Sequence, residues 1–175
     1  MAFEILWTRK ALKLPDHVRD EVEARLKRVQ RHFPEVDAPV KIDITRRLDG
    51  MAFQSHDGRT RLWLDIHRSS DGHWSYPTHW TIAHELMHLA QFNSEGIPSG
   101  ERPCDIFALA RLPPGLIDDS PSYLVVPPKQ RKVWRREDAR RAHVLAKDAI
   151  RMRRAGLKRY AQWWEDEFER RSIGR

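Results

Sequence analysis

Apolar residues recur along the chain with two different periods. From Asp16 to Phe33, Val18, Val22, Leu26, Val29 and Phe33 step by three and four, predicting a helix with one buried stripe. Pro15 opens that helix and Pro34 closes it. Val40 to Ile44 alternates with period two, as does the stretch from Arg61 to His67. Both read as strands, the second sending Leu62, Leu64 and Ile66 to the core and leaving Trp63, Asp65 and His67 on the other side. Phe3 to Thr8 reads as a short first strand, and Met51 to Gln54 as a piece pairing between the other two. The expected sheet is small and mainly antiparallel.

A turn-rich loop, Ser69 to Pro77, leads into the most apolar helix of the chain, Thr78 to about Phe92. Gly96 to Gly100 breaks it. A second helix starts near Glu101, runs through Ile106, Leu109 and Ala110, and ends at Pro113-Pro114-Gly115. From Lys129 to about Arg171 the pattern is helical, with a break at Gly156. The fold class expected is α+β, with helices gathered toward the C-terminus.

Composition bounds this picture. The chain has 175 residues, 40% hydrophobic and 33% charged, and its single cysteine, Cys104, excludes an internal disulfide or a multi-thiolate zinc knuckle. There is no apolar run of membrane-spanning length and no secretory leader pattern at the N-terminus, so a reducing cytoplasm is the expected address. The net charge of +7 is uneven. Residues 1–128 hold 16 Lys and Arg against 18 Asp and Glu, whereas residues 129–175 hold 16 against 7. This divides the chain into a nearly neutral domain, 1–128, and a basic helical extension, 129–175.

Chemistry concentrates at His84-Glu85-Leu86-Met87-His88, an HExxH signature. Residues four apart share a helix face, so the two imidazoles are placed to bind one metal ion. Glu85 is turned by about 100° from His84, suited to hold a metal-bound water rather than to ligate. From Thr81 to Ala90 these three are the only ionisable side chains in an otherwise apolar segment. Burying them without partners costs several kcal/mol, which a metal ion offsets.

Zinc requires a third protein ligand. Glu101 and Asp105 open the next helix, again four apart: Glu101 can complete the metal shell while Asp105 accepts a hydrogen bond from the far nitrogen of a ligating histidine. The structural alternative is that Glu101 is only an acid favoured at a helix N-terminus. Donors for an oxyanion are sought at Tyr123, Arg111 and His143, with Tyr123 preferred.

HExxH on one helix, followed by Glu and four residues later Asp on a second, resembles the gluzincin group of zinc metallopeptidases. With 12 residues between His88 and Glu101, the chain is most similar to the compact minigluzincins. The resemblance covers roughly Trp80 to Arg111. It implies a zincin-like fold with an active-site helix and a glutamate helix, and one Zn2+ on His84, His88 and Glu101. It further implies Glu85 as general base and acid, Asp105 behind the ligands, and hydrolysis of peptide bonds in a peptide or protein substrate. An extended substrate would add to a sheet edge, for which the Arg61 to His67 strand is the candidate.

The basic extension carries Arg135-Arg136, Arg140-Arg141 and Arg153-Arg154 beside Trp134, Trp163 and Trp164. It reads as helices whose Val133, Ala142, Leu145, Ala149 and Ile150 pack while the arginines are solvated. Two further readings stay open: a phosphate-binding surface for nucleic acid, or a segment that covers the cleft and keeps a peptidase latent. A rival from another class is a nucleic-acid-binding protein with a structural zinc site. A structural site has no need of Glu85.

Overall fold

The computed structural model describes residues 4–46 and 49–173, with the side chain of Ile173 left aside. Phe3, assigned to the first strand from sequence, lies outside the described residues. The chain forms two compact units, divided between Glu95 and Gly96. Among the described residues, no helix is long and apolar enough to cross a membrane.

The first unit is a sheet with helices on one face. Strands β1 (Ile5–Trp7), β2 (Val40–Thr45), β3 (Gly50–Gln54) and β4 (Thr60–Asp65) lie in the order β1-β2-β4-β3. Within this sheet β1, β2 and β4 run parallel, and β3 pairs with β4 antiparallel. The sheet is therefore mixed, not mainly antiparallel. The helix α1 (Asp16–Gln30) connects β1 to β2, and such a crossover makes its two strands parallel. The 60s strand is also not an edge: β4 sits between β2 and β3, because its Leu62 and Leu64 and the Ile42 of β2 are fully buried and belong at the sheet centre. Met51 to Gln54 does not pair between the two. It belongs to β3, whose large residues Met51 and Phe53 point outward, and it takes the edge.

All five stripe positions of α1 and its exit, Val18, Val22, Leu26, Val29 and Phe33, are buried. Each such side chain contributes about 1.5–3 kcal/mol over an exposed one. α2 (His79–Asn93) packs against α1 and across β3. Its start is fixed by Thr78, whose hydroxyl accepts a hydrogen bond from the Thr81 amide at 3.0 Å. A two-stranded ribbon, β5 (His67–Arg68) and β6 (Trp74–Ser75), precedes it.

The second unit is helical: α3 (Glu101–Arg111), α4 (Pro128–Lys132), α5 (Arg136–Arg154) and α6 (Tyr160–Ile173). α5 packs on both α3 and α6. Gly156 separates α5 from α6 at φ +101°, a conformation that suits glycine. Ala142, Leu145 and Ala149 are buried as their spacing requires, together with Trp164 and Phe168. Ile150 is half-buried and Val133 is exposed, the latter lying beyond α4 and ahead of the amphipathic helix.

Candidate metal centre

Helix α2 is buried nearly all round, from Trp80 through Ala90. His84 and Glu85 are each only 6% exposed, and His88 is half-buried. The four-residue spacing stacks the two imidazoles edge to face, with ring centroids 4.7 Å apart and planes at 87°. Their Nε2 atoms approach to 3.1 Å. Two nitrogens bound to one tetrahedral zinc at about 2.0–2.1 Å lie about 3.3 Å apart, so this pair fits a shared cation.

The tautomer of His88 supports the same geometry. Its Nδ1 lies 3.0 Å from the amide oxygen of Gln91, one helical turn on. That oxygen accepts, so Nδ1 carries the hydrogen and the Nε2 lone pair is left facing His84. Holding the far nitrogen of a ligand imidazole in this way is what a metal site requires. Gln91 was not singled out by the motif, although its i+3 relation to His88 was visible.

Glu85 lies over the start of β3. A Cβ placed on Gly50 would fall 2.7 Å from the carboxylate oxygen Oε1 and 2.8 Å from Cγ of Glu85. A side chain at position 50 would therefore force the motif glutamate to shift, which makes Gly50 a neighbour that sets its position. Register explains the contact, because Gly50 and Ala52 pair with Leu64 and Leu62 and share their helix-facing side. A glycine at the start of a strand was the available signal, since it marks close approach of another group.

The remaining candidates belong to the second unit. Glu101 is exposed in the first turn of α3, and Cys104 and Asp105 are buried one turn in. Asp105 Oδ2 accepts hydrogen bonds from the backbone amides of Tyr123 at 2.7 Å and Leu124 at 3.0 Å. Asp105 and Tyr123 are thus brought together, through the tyrosine backbone rather than its ring, and the Tyr123 side chain is 52% exposed. Glu165, buried on α6, holds the next residue of the same loop, accepting from Val125 N at 2.9 Å while paired with Arg102. Arg111 occupies the last turn of α3, where a cation complements the helix dipole. His143 Nδ1 lies 2.9 Å from the Leu109 carbonyl, tying α5 to α3.

Several cations of the C-terminal helices have partners within their own unit. Arg131 donates to the carbonyls of Pro121 and Leu124. Arg141 reaches Asp138 and Ser172 and lies over the Phe168 ring. Arg153 lies over the Tyr160 ring. No described protein family matches the chain, and neither a characterised protein nor a solved structure is significantly similar to it.

Proposed function

We propose that the protein is a zinc-dependent metalloendopeptidase of the gluzincin type, with a zincin-like fold. The observation that carries this reading is the 3.1 Å approach of the His84 and His88 Nε2 atoms on a buried helix, with the Glu85 carboxylate between them in sequence. His84 and His88 would hold the ion, and Glu101 is the third ligand assigned by the gluzincin pattern. The buried thiol of Cys104, in the same stretch of α3, is a further donor that a zinc site accepts. A bound zinc ion supplies Lewis-acid polarisation of a peptide carbonyl and an acidified water.

The chain's own residues do the rest. Glu85 takes a proton from the attacking water and passes it to the departing amine, and its burial keeps the carboxylate fixed for that exchange. Gly50 sets where the carboxylate lies. Gln91 keeps the proton of His88 on Nδ1. An extended substrate would add along β3, the edge strand that runs beneath α2, with main-chain hydrogen bonds supplying affinity. Tyr123 is retained as the proposed oxyanion donor, and Asp105, read from the sequence as the acceptor for a ligating histidine, is given the further role of positioning the loop that carries Tyr123.

The test is cleavage of casein or an unstructured peptide by the zinc-loaded full chain and by Glu85→Gln, with zinc measured on the same samples. The reading expects about one zinc per chain in both and cleavage only by the wild type. Zinc without Glu85-dependent cleavage would favour a structural metal site instead.

A further inference from the structure

The sheet of the first unit has a second face, turned away from α1 and α2. Register places Leu6, Lys41, Arg61 and Phe53 in one row across the four strands, and Asp43, Trp63 and Met51 in the next. Neighbours in a row stand about 4.8 Å apart. On a face packed against a further layer these would be core positions, yet Leu6 and Met51 are exposed and Phe53 is 53% exposed.

A groove of about 920 Å³ runs over this face, and at Trp63 it adjoins a second of about 570 Å³ at the end of β2 and β4, where Leu14, Ile44 and Ile66 also line it. Their described linings hold six Lys and Arg, Lys41, Arg59 and Arg61 in the first and Lys10, Arg46 and Arg68 in the second, against a single acid, Asp57. Asp43 and Asp65 add two carboxylates to the same face, the first bonded to the Thr8 hydroxyl and the Ile44 amide and the second to His67. Of the six cations, Arg59 pairs with Asp57 while Lys10 and Arg68 donate to the carbonyls of Ile44 and Gly72, so the basic side chains still outnumber the acidic ones by six to three. The Arg61 guanidinium lies 5.2 Å over the Trp63 ring. This concentration is local, because residues 1–95 carry equal numbers of basic and acidic side chains.

From this we infer that the open sheet face binds single-stranded nucleic acid, a partner distinct from the proposed peptide substrate and independent of that proposal. Phosphates complement the cations, and unpaired bases are the ligands that stack on exposed aromatic rings and guanidinium planes. An acidic peptide would satisfy the charge alone and leave Phe53 and Trp63 without use. The surface is also not the basic C-terminal segment, several of whose arginines are tied to partners in their own unit.

The experiment is fluorescence anisotropy of a labelled oligothymidylate titrated with the full chain at several salt concentrations. Affinity should fall with salt with a log–log slope of about −2 or steeper, the value for three or more phosphates on a single strand. Phe53→Ala should weaken binding at least fivefold and Phe53→Tyr restore it, with the thermal unfolding midpoints of both variants unchanged from wild type, which separates lost stacking from a folding defect. Lys41→Gln with Arg61→Gln should flatten the slope by about 1.4, and Arg140→Gln with Arg154→Gln should change affinity less than twofold. The proposal is overturned by absence of binding, by Phe53→Ala binding as wild type, by loss confined to the Arg140 and Arg154 variant, or by equal competition from polyglutamate or duplex DNA.

Discussion

Helices α2 and α5 both place ionisable residues at helical spacing, and they use them in opposite ways. On α2 the ionisable residues of the motif turn inward: His84 and Glu85 are buried among Ile82, Ala83, Leu86 and Met87. On α5 the charges lie mostly outward around a stripe of Ala139, Ala142, Leu145, Ala146 and Ala149. Burial of a polar group requires a compensating partner, whereas a solvated arginine requires none. Three polar residues on α2 therefore say more about chemistry than the sixteen basic residues of the last quarter of the chain.

The comparison is broken most severely at Glu85. Glu85→Gln should lower peptide cleavage by about 10²–10⁴-fold, measured as kcat/KM, with zinc content unchanged. Retained cleavage would remove the carboxylate from the mechanism. Gly50→Ala comes next. Its new methyl group would sit 2.7 Å from Oε1, so Glu85 must shift, and kcat should fall about tenfold or more while zinc is kept.

On α5 the expected effects are on stability alone. Arg141→Ala removes bonds to the buried Asp138 and to Ser172 and should cost about 1.5–3 kcal/mol in urea unfolding. The exposed Arg140→Ala should stay within about 0.5 kcal/mol. Equal losses at the two positions would show that the inward contacts of Arg141 carry no weight.

A smaller effect than that at Arg141 lies in the first unit at Glu23. Burial acts to raise its pKa, but the hydrogen bond from Trp7 Nε1 at 2.9 Å and the Lys27 ammonium outweigh it, so the pKa is lowered from 4.5. A carboxylate depressed in the folded state stabilises above its unfolded pKa, and that contribution is lost as pH falls through the folded one. Trp7→Phe should therefore cost about 1 kcal/mol near neutrality, and the difference from wild type should shrink below about pH 4.5. A difference independent of pH would assign the effect to packing.

Local signals were legible from the residues themselves. The stripe of α1, the extent of α2, the motif on it and the break at Gly156 depend on spacing and on single-residue backbone preferences, and all are where those rules put them. Strand order was not legible, because it depends on which strand is covered on its helix side. Gly50 and Ala52 face α2 while Met51 and Phe53 face outward, so the apolar residues of β3 mark its open side and not its core side. At the site, His84, Glu85 and His88 were read from the motif. Gln91 and Gly50 left only weak signals in the sequence, an i+3 spacing and a glycine at a strand start, and their roles needed a rotamer and a neighbouring strand in view. Asp105 was read from its spacing to Glu101 as the acceptor for a ligating histidine, while its bonds to the Tyr123 and Leu124 amides come from a loop whose path no spacing rule predicts.

The facing nitrogens of His84 and His88 are the centre of this account, and zinc titration of the metal-stripped chain tests them most directly. It predicts one equivalent of zinc bound by the wild type and by Glu85→Gln, and loss of that equivalent in both His84→Ala and His88→Ala. Stoichiometric binding that survives either histidine substitution, or no binding by the wild type, would contradict it.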